Sequence, residues 1–417
     1  MWVENLITWF MKRKNNQYLR FQTNKQVAMP ENTRDKKYLL YVHVPFCEKL
    51  CPYCSFNRYP FEEFLARNYF KALREELKIY HQKGYDCTGV YIGGGTPTIL
   101  MDELDQTLTL IRNLYSVQEV SIETNPDHLT KEKLNQLKAM GINRLSVGIQ
   151  SFDDSILRSV DRYEKYGSGW EIQNKLLSAK GNFDTLNVDM IFNFPQQTID
   201  MIENDLDILL ELNIDQVTFY PLMVSTSTRK SLTQKWGKVD YKQEKILYFK
   251  ILEKLSDQFF PATAWCFSRN KGMVDEYIIN YDEYIGVGSG SFGYLDGCIY
   301  ANTFFLGQYI KELQGGKLPL MSKKNFSIKE QMRYDFLMKL FSGRLNLENL
   351  EKKFQGNFNR YLWMEILFFE FVGAIQTRTD SILLTSKGLY YWVIMMREFF
   401  IGVNNFRDHC RNKIVKN

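Results

Sequence analysis

Histidine is scarce in this 417-residue chain, with four copies, and its seven cysteines are too few and too unevenly placed for a disulfide framework. A reducing cytoplasm is the expected setting. No run of about eighteen apolar residues occurs, so stable membrane insertion is not expected. The apolar LITWFM precedes the basic run at Lys12–Lys14, the reverse of a secretory signal. Lys and Arg total 53 against 48 Asp and Glu and are interleaved with them, which leaves no footprint for nucleic acid. The glycine run at 93–95 has neither the G-x-G-x-x-G spacing nor a GK[ST] ending, so it is not a dinucleotide or Walker fingerprint. What is present is ordinary globular material, 45% hydrophobic and 24% charged, long enough for one large domain and a smaller one.

The pattern along the chain divides it into four stretches. Residues 1–36 are polar and basic, with a short amphipathic helix and an irregular lead-in containing Pro30. Residues 37–225 alternate short apolar, β-branched runs with helical periods: KYLLYVHVPF, TGVYIGGGTPT, EVSIETNP, RLSVGIQSF, TLNVDMIFNFP and QVTFYPLMV. Six strands with a helical segment between neighbours predict parallel pairing, in a partial (β/α)6 barrel or an open doubly wound sheet. Residues 226–320 read as a connection and barrel extension, with one helix and glycine-rich strand material around YIGVGSGSFGYLDG. Residues 321–417 turn mainly helical around a short hairpin, like a winged helix. The aromatic stripes there, WMEILFFEFV and YYWVIMMREFF, read as core, and His409 as a surface residue.

Chemistry-bearing residues concentrate after the strands, where loops converge in parallel β/α sheets. After the first come Cys47, Cys51 and Cys54 in C-x3-C-x2-C spacing. Structural zinc needs a fourth ligand, and no histidine or cysteine offers one locally; His43 sits inside the strand. Three thiolates from one loop suit a 4Fe-4S cluster with one iron left open. Glycines 93–95 with Thr96 and Pro97 follow the second strand, allowing close backbone approach to a ligand or serving only a tight turn. Glu123, Asn125 and Pro126 follow the third, Gln150 and Ser151 the fourth, with Arg158 and Arg162 beyond, and Asp189 lies in the fifth. Cys87, Cys266, Cys298 and Cys410 read as buried structural thiols.

These motifs resemble the radical S-adenosylmethionine (SAM) superfamily. YVHVPFC, GGGTPT, SIETNP, RLSVGIQSF and NVDMIFNFP are similar to the branch holding oxygen-independent coproporphyrinogen III oxidase and the haem chaperone HemW. The resemblance implies a partial (β/α)6 radical SAM barrel, of α/β class, with a helical, winged-helix-like C-terminal domain. It implies that Cys47, Cys51 and Cys54 ligate the cluster, that Tyr41 lies beside the SAM-bound iron, and that Gly94, Thr96 and Glu123 face SAM. A second SAM would lie near Gly95, Gln150, Arg162 and Asp189. Glu123 and Asp189 also admit a plainer reading as satisfied polar residues at strand ends.

The implied activity is reductive cleavage of SAM and radical chemistry on a tetrapyrrole, as oxidoreductase or methyltransferase, with a flavodoxin or ferredoxin as electron donor. The alternative is a haem chaperone that transfers haem without porphyrin turnover. CSFNRYP has no further cysteine, as in chaperone-like members, whereas the oxidase has one. IFNFPQQT lacks the two glycines of the branch's GLPGQT-like turn, and Tyr163 stands where a histidine is common. SFGYLDGCIYANT and the longer N-terminus resemble anaerobic haem-degrading radical SAM methyltransferases.

Overall fold

A computed structural model describes residues 2–18, 29, 32, 36–270, 279 and 281–414. The expected lead-in around Pro30 lies outside the described residues. Six parallel strands carry the fold: β1 (Lys37–Val44), β2 (Asp86–Gly94), β3 (Glu119–Thr124), β4 (Arg144–Gln150), β5 (Thr185–Phe192) and β6 (Gln216–Pro221). They lie side by side in sequence order, each hydrogen-bonded to the next. A doubly wound sheet reverses direction at a switch point and this one does not, so of the two expected geometries the barrel type is the one formed. The sheet is open, because its two edge strands, Leu320–Asn325 and Phe260–Pro261, are not paired with one another among the described residues.

One strand goes beyond the sequence reading. β7 (Tyr284–Val287) pairs parallel with β1, with Leu39 opposite Tyr284, and continues into three antiparallel strands. Its four residues, YIGV, are too short to show their pairing partner in the sequence. The stretch Asp153–Ala179, read as one helix, is three: Asp154–Ser159, Tyr163–Tyr166 and Gly169–Ala179. Asp161 (φ 58°) and Gly167 (φ 94°) break it, since left-handed backbone cannot continue a right-handed helix. The connection after residue 225 holds a further helix, Arg229–Trp236.

Period-two burial sets the two faces of the sheet. Tyr38, Leu40, Val42 and Val44 of β1 pack into the main core under helices such as α1 (Glu63–Gln82), whereas Leu39 and Tyr41 face a second cluster with Tyr91, Tyr284 and Tyr294. On β3 to β6 the matching face is polar: Arg144 donates to Gln216 and Ser121, and Thr218 to Asn187. Downstream, α2 (Tyr241–Leu255) precedes a three-stranded sheet of Arg344–Asn346, Ser381–Leu384 and Ile375–Thr377, flanked by helices. The long α3 (Ser386–Ile414) ends the fold and buries Tyr390 to Met396 in the main core, as the aromatic stripe predicted. Phe358–Phe371 leaves Trp363, Met364, Leu367 and Phe371 exposed, so that part of the other stripe is not core. The N-terminal helix Trp2–Tyr18 packs on α3 through Val3, Ile7 and Met11. Among the described residues no helix is long and apolar enough to cross a membrane.

Candidate functional site

The cysteine loop is closed at its base by a short parallel pairing of Phe46–Cys47 with Tyr59–Pro60. Inside it, Cys54 N–H donates to Cys51 O at 3.3 Å, and Arg58 donates to the Cys54 carbonyl through Nε and Nη2 at 3.1 and 2.8 Å. All three cysteines are half-buried and unbridged. Burial pushes the Cys47 thiol up to about 11, with the neighbouring Cys54 adding to the shift. Burial likewise raises Cys54, while Arg58 opposes it. Cys47 and Cys54, raised in this way, are donors that a cationic metal core would stabilise as thiolates.

The grouping of the thiols bears on two metal readings. Among the described residues, the His, Cys, Asp and Glu groups whose ligand atoms all lie within 4.8 Å comprise Glu48, Asp127 and His128, and not the three cysteines. Tetrahedral zinc with Zn–S bonds of ~2.3 Å would hold its sulfurs only ~3.8 Å apart. The three cysteines are not in such a close group, and three ligands from one loop suit a multi-iron core with one iron left open.

The glycine turn lies directly against this loop. Gly95 N–H and Thr96 N–H donate to Val44 O and Phe46 O, each at 2.7 Å. A Cβ on Gly95 would come within 2.5 Å of Phe46 O, and one on Gly94 (φ +117°) within 2.6 Å of the His43 ring. Glycine is therefore required for the turn to meet the loop, whatever else it admits. Glu123 reaches over from β3: it accepts from Gly94 N–H and from Tyr91 Oη, both at 2.9 Å. Tyr41 stands beside it, bonded at 2.8 Å to His43 Nδ1. His43 Nε2 is 2.8 Å from Asn57 O, a pure acceptor, so Nε2 carries the proton and Tyr41 Oη donates to Nδ1. Burial lowers His43 to about 4, which keeps it neutral in that role.

Thr96 and Arg162 tie the turn and the next helices to the cysteines. Thr96 hydrogen-bonds Cys47 and accepts from Asn125 Nδ2 at 2.8 Å. Arg162 Nη1 lies 3.7 Å from Cys51 Sγ and 3.4 Å from Tyr53 Oη, and Nη2 donates to Gly148 O and Asn125. Gln150 takes a left-handed backbone (φ 79°) at the end of β4, with its amide beside Gly148. Asp189 accepts from Ser146 and Asn187, both at 2.8 Å, on the face shared with Gly148. Cys47, Cys51, Cys54, Thr96 and Arg162 thus form one contact network, Tyr41, Gly94 and Glu123 adjoin it, and Asp189 stands apart in the polar layer.

The family model described as the radical SAM superfamily matches residues 41–209. The haem chaperone HemW of Bacillus subtilis (strain 168) is 28% identical over 313 residues, 72% of this chain and 82% of the relative. HemW of Lactococcus lactis subsp. lactis (strain IL1403) is 27% identical over 379 residues, 88% of this chain and 98% of the relative. Oxygen-independent coproporphyrinogen III oxidase of Escherichia coli (strain K12) is 25% identical over 382 residues. The chain is thus similar to the radical SAM superfamily over residues 41–209. It resembles the branch that holds HemW and the oxidase, and the solved structure of the E. coli oxidase shares its fold, with a TM-score of 0.74 over 91% of this chain at 22% identity.

The chain keeps the branch's turn after β5 without its glycines. Asn193 adopts φ 70° where the GLPGQT-like turn has its first glycine, and its N–H donates to Gln197 Oε1 at 2.7 Å. Asparagine is among the side chains that tolerate this region best. Sequence reasoning passed over His43, two residues from Tyr41 on the same strand face, a spacing that could have paired them. It also missed Arg407, whose charge reaches Cys54 and His43 from α3. Nothing in the sequence links positions so far apart. Asp408, its neighbour, accepts from Ser225 at 2.9 Å, which docks the end of α3 on the loop after β6. His409 is exposed, and Cys87, Cys266, Cys298 and Cys410 are buried, as expected.

Proposed function

We propose that the chain holds a 4Fe-4S cluster on Cys47, Cys51 and Cys54, binds SAM at its open iron, and acts on a tetrapyrrole. The observation that carries this reading is the loop of three half-buried, unbridged cysteines at the rim of a sequentially ordered parallel sheet. A bound cluster supplies one electron to the SAM sulfonium, giving methionine and a 5′-deoxyadenosyl radical. The chain's own part is placement. The Glu123 carboxylate holds the Gly94 backbone next to the loop and presents negative charge where the SAM amine would sit, with Tyr41 fixed by His43 beside it. Thr96 orients Cys47. Gly95, Gln150 and Arg162, with Asp189 in the polar layer, would serve a second SAM. A flavodoxin or ferredoxin would deliver the electron.

The names of the relatives, haem chaperone and coproporphyrinogen oxidase, support a tetrapyrrole as substrate class. A second reading is transfer of haem without turnover, favoured by the missing cysteine after Cys54. Anaerobically reconstituted protein with reductant, SAM and a panel of coproporphyrinogen and haem, followed by mass analysis, separates them. Substrate-dependent 5′-deoxyadenosine or S-adenosylhomocysteine together with an altered porphyrin is the expected result. Stable haem binding with SAM cleavage indifferent to any porphyrin would replace it with the chaperone reading.

A further inference from the structure

Arginine stays protonated in proteins, and a buried charge normally comes with a counter-charge. Arg162 is 3% exposed. None of its partners is a carboxylate: the Gly148 carbonyl at 2.5 Å, Asn125 Oδ1 and Tyr53 Oη at 3.4 Å, and Cys51 Sγ at 3.7 Å, with its guanidinium 4.2 Å over the Tyr166 ring. Nε, also buried, has no hydrogen-bond partner. Its bonds to the Gly148 carbonyl and Asn125 pin the fork between β4 and the loop after β3 and aim Nη1 at the sulfur. Arg58 differs, because it reaches the backbone carbonyl of Cys54 rather than a thiol.

We infer that Arg162 is the counter-ion of the cluster and a positioning residue that sets its reduction potential, through a charged N–H···S contact to Cys51. The inference rests on the cluster assignment above. An oxidised core of charge two plus on three thiolates is singly negative overall, and the electron from the reductant doubles that charge. A fixed cation against one ligand sulfur stabilises the reduced state more than the oxidised one, and so raises the potential.

The test is an EPR-monitored dithionite titration of anaerobically reconstituted full-length protein, its Arg162→Lys and Arg162→Gln variants, each normalised to bound iron and sulfide. Expected is a shift to more negative potential in Arg162→Gln, with the reduced fraction at a fixed solution potential down about tenfold or more. Arg162→Lys, which keeps the charge, should recover most of that shift. Because the glutamine variant could fail to assemble a cluster, wild-type protein with 15N-labelled arginine is measured in parallel by pulsed EPR. A guanidinium nitrogen coupled to the reduced cluster in wild type and absent from Arg162→Lys supports the inference. An unchanged potential in Arg162→Gln, or no 15N coupling in wild type, overturns it. Wild-type protein that takes up no cluster at all would instead defeat the proposed function.

Discussion

Two buried guanidiniums stand in different parts of this molecule and are treated differently. Arg397, 2% exposed on α3, meets α2 with its charge answered from within: it pairs with Glu244, lies 3.0 Å from Glu398 and sits 4.1 Å over the Tyr241 ring. Arg162, equally buried at the rim, is met by a backbone carbonyl and Cys51 Sγ. A charge that serves the fold carries its counter-ions with it. A charge whose neighbours are thiols is balanced only once those thiols become thiolates, which ties it to the site's ligand rather than to the fold.

Apo-protein stability is where this contrast can be broken most easily. Replacing Glu244 by Gln leaves Arg397 with Glu398 alone and breaks the buried pair across α2 and α3, which should cost about 3 kcal/mol in urea unfolding. A cost below about 1 kcal/mol would mean that the seam between α2 and α3 is not held by its ion pairs. Glu76 is an intermediate case, a fully buried carboxylate given three donors, Gly288 N–H, Asn302 and Tyr309, but no cation. Burial raises it to about 7 from an ordinary 4.5. Between those values the folded state binds the extra proton, so stability should fall as pH rises from about 4.5 to 7, by about 3 kcal/mol. Glu76→Gln should flatten that slope, and a slope unchanged by the substitution would refute the assignment. The smallest effect is expected at the rim. Arg162→Met in apo protein should change stability by less than about 1 kcal/mol, or stabilise it, because an uncompensated charge is removed. A loss as large as that at Glu244 would erase the distinction between the two arginines.

Much of this was legible in the chain itself, for identifiable reasons. The six parallel strands were readable because each is a compact apolar run bounded by turn residues, and the cysteine loop because its three ligands are local in sequence. The glycine run was readable as a close approach, but not what fills the space: Glu123, His43 and the Phe46 backbone. β7 was not legible as a partner of β1, since a four-residue strand about 240 positions away carries no register signal. Nor were the contacts of Arg162 with Cys51 and of Arg407 with its surroundings, which depend on how loops from distant units meet at the rim. The sequence pattern also hid the polar inner face of β3 to β6, where Arg144 donates to Gln216, and Asn187 donates to Ser146 and accepts from Thr218.

The central claim, a cluster on Cys47, Cys51 and Cys54 with one iron open to SAM, is tested most directly by the EPR spectrum of the reduced, reconstituted protein before and after SAM is added. The account predicts a low-spin iron–sulfur signal that changes on addition of SAM and is lost, with the bound iron, when the three cysteines are replaced by alanine. A protein that keeps its full iron and sulfide in that triple variant, or a signal indifferent to SAM, would contradict it.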